Sequence, residues 1–264
     1  MRSLWLLSLL CSAVAQGLEV GAFGLADQGP AFYLRLWGQA MGEGVRLSYA
    51  LAPYWRLGLG EGGFSLEQLY LVVEGVAPRK EQVGEVDLAF GRMPLTLGEG
   101  RLFPSAWDTP GPAGGQEGVW GVSLTLYGEV RWRLGYALAQ GFWIEGALSD
   151  LKVYAFPLGL GVSGNLALGG GLAYGEAFLT RWGLRGLVGF TWALGEYQLL
   201  AEIMYPWAWG VRWVGGSEGA YYWLQLNYRE GLGWGVGLEL EGFGLSMAGG
   251  EGIWRYWVAW RGEF

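Results

Sequence analysis

Beyond residue 15, most of this chain alternates apolar and small or polar residues, and no uninterrupted apolar run reaches the ~20 residues of a membrane-spanning helix. Period two is the repeat of a β-strand, whose successive side chains point to opposite faces. Trp120, Val122, Leu124 and Leu126 alternate with Val119, Gly121, Ser123 and Thr125. After a turn at Gly128-Glu129, Val130, Trp132, Leu134, Tyr136 and Leu138 alternate with Arg131, Arg133, Gly135, Ala137 and Ala139. Trp182 to Trp192 and Trp234 to Leu240 repeat the pattern against Arg181, Arg185, Thr191, Glu239 and Glu241. The chain therefore reads as all-β.

The first fifteen residues stand apart. Arg2, the apolar stretch Leu4 to Leu10 and the small-x-small triplet Ala13-Val14-Ala15 form the pattern of a cleaved secretory leader. The expected division is a signal peptide at 1–15 and one barrel domain at 16–264. Cys11, the only cysteine, falls in the leader, and the chain has no histidine, so neither a disulfide framework nor a Cys/His metal site can be built. No cofactor is expected. A net charge of −7 argues against nucleic acid as a partner.

A soluble sandwich would also alternate, so amphipathicity alone does not choose a solvent. Three features point to a membrane. Aromatic residues gather near strand ends, as at Tyr127, Trp132, Trp182, Trp192, Tyr197, Tyr205, Trp207 and Trp260, which suits girdles at two membrane interfaces. The opposite face is mostly Gly, Ala, Ser, Thr, Arg and Glu, as in a wet lumen. Longer connections also alternate with shorter ones.

Strands are expected near 18–26, 31–39, 44–59, 64–75, 83–92, 118–127, 129–139, 150–161, 165–176, 181–193, 196–205, 219–229, 232–245 and 252–264. Pro53 could split the third of these. The expected fold is a transmembrane antiparallel up-and-down β-barrel of about fourteen strands, with about twelve as the alternative. Parity then puts connections 93–117, 140–149, 206–218 and 246–251 at one end and tight turns at 128, 162–164, 194–195 and 230–231 at the other.

The last strand, GIWRYWVAWRGEF, carries Tyr256, Val258, Trp260 and the terminal Phe264 on one face. It resembles the C-terminal signal of bacterial outer-membrane barrels, which the outer-membrane assembly machinery engages. The stretch VDLAFGRMPLTLGEGRLFP, with Gly91, Arg92, Gly98, Gly100, Leu102 and Phe103, is similar to the early strands of porin-like families. The resemblance implies a multi-pass protein of the bacterial outer membrane, surrounded by its lipids.

The alternation directs Arg35, Arg46, Arg131, Arg133, Arg185 and Arg255 inward, together with Glu85, Asp87, Glu202, Glu239 and Glu241. On the lipid face near the midplane an arginine costs roughly 2–4 kcal/mol, in a wet lumen little. These residues are the candidate pore lining. They could guide charged solutes, or pair into a network that stiffens a closed barrel. Ala167, Gly169, Gly171, Ala173, Gly233, Gly235 and Gly237, also taken as inward, leave space, which favours a narrow water-filled pore partly constricted by the 93–117 loop. Barrel curvature accounts for those glycines nearly as well.

Barrel phospholipases, acyltransferases and proteases use an essential histidine, which this chain lacks, so an enzyme ranks last. Passive diffusion of small hydrophilic solutes leads. Transport or binding of hydrophobic molecules is the alternative, motivated by Trp143, Ile144, Trp207, Trp209 and Trp213 in the expected outer loops, and a structural surface barrel is the third.

Overall fold

A computed structural model describes residues 16–25, 29–57, 60–76, 85–95, 118–157, 159–229, 231–250 and 253–263. Residues 1–15, expected above to be a leader, residues 98–103 and Phe264 lie outside them. Eighteen strands follow one another: β1 (Gly17–Leu25), β2 (Gly29–Gly42), β3 (Val45–Arg56), β4 (Glu61–Val73), β5 (Val86–Met93), β6 (Val119–Leu126), β7 (Arg131–Ala137), β8 (Gly141–Leu148) and β9 (Leu151–Phe156). The second half holds β10 (Gly159–Leu168), β11 (Gly171–Thr180), β12 (Gly183–Leu194), β13 (Tyr197–Tyr205), β14 (Ala208–Ser217), β15 (Ala220–Tyr228), β16 (Leu232–Leu240), β17 (Phe243–Gly250) and β18 (Ile253–Glu263). Each is antiparallel to its neighbour in sequence. β1 also pairs with β18, Gly17 opposite Glu263 and Leu25 opposite Arg255, so the sheet closes without a free edge.

Eighteen strands replace the fourteen, or twelve, that the sequence suggested. Stretches expected to be connections, 140–149, 206–218 and 246–251, instead form or complete β8, β14 and β17. The stretch 150–176 holds three strands rather than two, and Ser163-Gly164-Asn165, which has the composition of a turn, lies in the middle of β10 paired with Glu176-Gly175-Tyr174 of β11. β3 runs unbroken through Pro53.

Strand direction alternates, so the connections fall at two ends. The end where β1 begins and β18 finishes, the near end, has turns at 43–44, 127–130, 149–150, 169–170, 195–196, 218–219 and 241–242, and the connection 74–85. The far end has turns at 138–140, 181–182, 206–207 and 229–231, and the 94–118 connection. The junction of β15 and β16, expected as a tight turn at 230–231 and with residue 230 outside the described residues, thus sits with the long connection, not opposite it.

The outer face is apolar and open to its surroundings. Val20, Leu34, Val162, Val188, Leu224, Val236 and Leu245 are 36–69% exposed at mid-strand. Rings flank them at both ends: Trp132, Trp192, Tyr197, Trp213, Tyr222 and Trp260 toward the near end, and Trp55, Trp120, Trp182, Trp207, Trp209 and Tyr228 toward the far end. A protein in water would hide such a surface. Tyr256, Val258 and Trp260 of the last strand lie on this outer face, cross-paired with Met247, Leu245 and Phe243.

Candidate functional site

The inner wall carries the polar chemistry. Among the described residues, the buried charged side chains are Glu19, Glu67, Glu145, Glu176 and Glu202, all on the inner face. Long inner side chains cross a small residue on the next strand and reach a partner beyond it. The Trp143 indole of β8 lies over Gly135 of β7, where an added Cβ would sit 2.6 Å from Cε2. The Tyr174 ring of β11 lies over Gly189 of β12, and its hydroxyl donates to Glu202 Oε1 on β13 at 2.6 Å. Trp223 of β15 likewise covers Gly235 and Gly237 of β16. Those glycines therefore are not empty space: rings lie flat along the wall above them. Gly171 and Ala173, expected to face inward, share the outer face with Leu166 and Phe190, because Tyr174, Glu176 and Phe178 are the inward members of β11.

Three polar clusters result. At the seam between β18 and β4, Glu19 is 2% exposed and accepts from Tyr33 Oη at 2.7 Å and from Arg261 Nη2 and Nε at 2.7 and 3.0 Å. Trp257 Nε1 donates to Tyr33 Oη at 2.5 Å. Arg35 reaches across β3 to Glu67, Nε to Oε2 at 2.7 Å, over the small Ala50 and Ala52. Glu67 is the extra residue of a β-bulge: Leu66 pairs with Leu51 and Gln68 with Ala50, which leaves Glu67 unopposed and aims it inward beside Gln68. The second cluster joins Arg131 Nη2 to Glu145 at 3.3 Å and stacks Arg133 on Trp143 at 4.7 Å from the ring centroid. The third comprises Tyr174, Glu202 and Arg212, whose Nε donates to Gln225 at 2.9 Å and whose guanidinium lies 5.3 Å from the Trp223 ring.

The structure distributes the sequence-derived candidates as follows. Arg35, Arg131, Arg133 and Glu202 belong to these clusters. Arg46 and Arg185 lie on the inner face of β3 and β12, half-buried. Arg255 shares the face of Trp257 and Ala259, and Glu239 stands opposite Tyr221 and Gly244. Asp87, on the inner face of β5, accepts from Tyr127 Oη at 3.0 Å and from the Gly75 amide at 3.2 Å. Burial, then that hydrogen bond, raises the Tyr127 phenol above its ordinary pKa. Glu85 precedes β5 at the near rim, and Glu241 occupies the turn between β16 and β17 with φ of 44°. Trp209, Ile144 and Trp213, expected in outer loops, are strand residues of the outer face, and Trp143 is an inward one. Sequence reasoning missed Glu19, Glu67, Glu145, Glu176, Arg212 and Arg261. The same alternation would have placed all but Glu67, whose bulge breaks the count.

The chain leaving β5 turns into the barrel. Leu95 is 3% exposed and packs in one cluster with Ala137, Trp143, Tyr154, Phe156 and Phe178 of the inner wall. The returning end is fixed by the Gly118 amide, which donates to the Glu67 carbonyl at 2.7 Å. Residues 96–117, between these anchors, lie outside the described residues.

No family model and no curated protein matches this chain. Solved structures do. A Rhodopseudomonas blastica porin triple mutant aligns over 94% of this chain and 98% of its own at 10% identity and a TM-score of 0.50. Pseudomonas aeruginosa OccK3 (OpdO) aligns over 97% and 98% at 12% identity and a TM-score of 0.53, and OccK1 (OpdK) over 94% and 97% at 10% and 0.53. At such identities the likeness is one of fold, a porin-like closed barrel.

Proposed function

We propose that this protein is an outer-membrane channel through which small hydrophilic solutes diffuse passively. The observation that carries the reading is the combination of a closed ring of eighteen strands, an apolar outer belt between two aromatic girdles, and an inner wall whose long side chains lie tangentially. Barrels of 16–18 strands enclose more volume than their own side chains fill, so the lumen holds water. The apolar belt needs hydrocarbon around it, and the girdles mark its two interfaces. Leu95, buried against the inner wall just after β5, supports the expected narrowing of that lumen by the connection that follows.

The resemblance to porins and OccK channels supports the same reading, as does the absence of histidine, which removes the usual general base. The assembly machinery remains the partner implied by the last strand. Liposome swelling tests the proposal: vesicles bearing the refolded chain should admit small sugars and amino acids at rates that fall with solute size. Swelling no faster than in protein-free vesicles would contradict it.

A further inference from the structure

Between β2, β3, β4 and β18 the inner wall is indented by a recess of about 320 Å³, lined by Arg35, Trp37, Gln39, Ser48, Gln68 and Tyr70, with Arg261 at its edge. We propose that this recess is a saccharide subsite that holds one neutral pyranose in transit, an inference that rests on the channel reading above.

Charge is the first argument. Both arginines of the recess are already committed to a carboxylate, Arg35 to Glu67 and Arg261 to Glu19, each with a contact of 2.7 Å. An anion would therefore meet a wall with no net positive charge. The second argument is the supply of unused hydrogen-bonding groups. Ser48 is 4% exposed and its Oγ is buried in the recess without a partner. Among the described residues the side chains of Gln39, Gln68 and Tyr70 make no hydrogen bond either. Two amides and two hydroxyls thus offer both donors and acceptors to the hydroxyl groups of a sugar. A buried polar group left unsatisfied is costly, which favours a ligand that completes it.

The third argument is the platform. The Trp37 indole lines the recess and packs against Gly17, with the Arg35 and Arg261 guanidiniums 5.8 and 5.7 Å from its ring centroid. An aromatic side chain beside planar amides suits a pyranose, which has an apolar C–H face and an equatorial rim of hydroxyls. The volume is at the small end for ligand sites and admits one ring. A subsite in a channel must also release its solute, so half-saturation on the order of millimolar is expected.

The test uses the full chain refolded in an amine-oxide detergent, whose headgroup carries no sugar. Saturation-transfer NMR with D-glucose and D-glucuronate reads contact whether or not the barrel conducts. Glucose should give saturable transfer, glucuronate no stronger transfer, and Gln39→Leu and Gln68→Leu, both of similar size to the native residue, should each weaken glucose at least tenfold. Heat-modifiable mobility on a gel confirms that each variant is folded. Non-saturable glucose transfer, indifference to both substitutions, or glucuronate binding tenfold tighter than glucose would each overturn the subsite. If the protein binds glucose but never conducts, the channel reading fails and the subsite stands; if it conducts without saturable binding, the reverse holds.

Discussion

Replacing Glu19 with alanine should destabilise the barrel by about 3 kcal/mol, the larger part from its bond to Tyr33 on β2 and the rest from Arg261 across the seam where β1 meets β18. Three hydrogen bonds converge on this carboxylate, one from Tyr33 and two from Arg261. Bonds to a charged group contribute roughly 1.5–3 kcal/mol each, but that figure overstates the arginine's share here. The Arg261 side chain is 47% exposed and rehydrates when its partner is lost, which lowers the ion-pair share to about 1 kcal/mol. Tyr33 is 3% exposed; it keeps Trp257 as a donor but loses the acceptor for its own proton, at roughly 1–3 kcal/mol. Glu19→Gln retains an acceptor for Tyr33 and should cost only the ionic part, about 1 kcal/mol. In a cycle with Arg261→Gln, the double variant should be no less stable than Glu19→Gln alone. Reversible urea unfolding in lipid vesicles, followed by tryptophan emission in both directions, measures the wild type and the four variants. The reasoning fails if Glu19→Gln costs as much as Glu19→Ala, or if the two glutamine substitutions add fully.

Three further outcomes are expected. Gly135→Ala should destabilise the barrel by about 1–3 kcal/mol in the same unfolding assay, since its methyl group would displace the Trp143 indole and the Arg133 stacked on it. Replacing Arg131 and Arg133 with serine should shift the reversal potential in a salt gradient toward cations, because Glu145 loses its neighbours while the wall keeps its shape, and the shift should be larger at low salt. Single cysteines at 196 and 218 should label from one side of intact cells and cysteines at 182 and 207 from the other; mixed labelling within either pair would break the strand count.

The faces of most strands were legible from sequence because an apolar surrounding enforces period two, but β11 was read one residue out of phase at Gly171 and Ala173, and the bulge at Glu67 interrupts β4. The number of strands was less legible. Most turns at the near end are two residues long, and Glu241-Gly242 lacks the Asn-Gly or Asp-Gly signature that marks such turns. Conversely, Ser163 and Asn165, which face the interior on either side of the outward Gly164, are small and polar and so mimic a turn. Trp207-Ala208-Trp209 follows Pro206 and alternates correctly, yet its proline and aromatic density suggested a loop. Some charged residues of the inner wall, such as Arg35, Arg131 and Glu202, could be picked out one at a time, but Glu19, Glu145 and Glu176 were passed over and the pairings could not be read. Arg35 meets Glu67 thirty-two residues away, across an intervening strand and at a bulge, and only the register brings them together.

The central claim, a water-filled passage through the eighteen-stranded ring, is tested most directly by planar-bilayer recording of the purified chain. Insertion should raise the current in discrete steps whose size grows in proportion to bulk salt concentration at high ionic strength, as it does for ions moving through water. A bilayer that stays silent while the same preparation shows heat-modifiable, folded barrel would contradict the account.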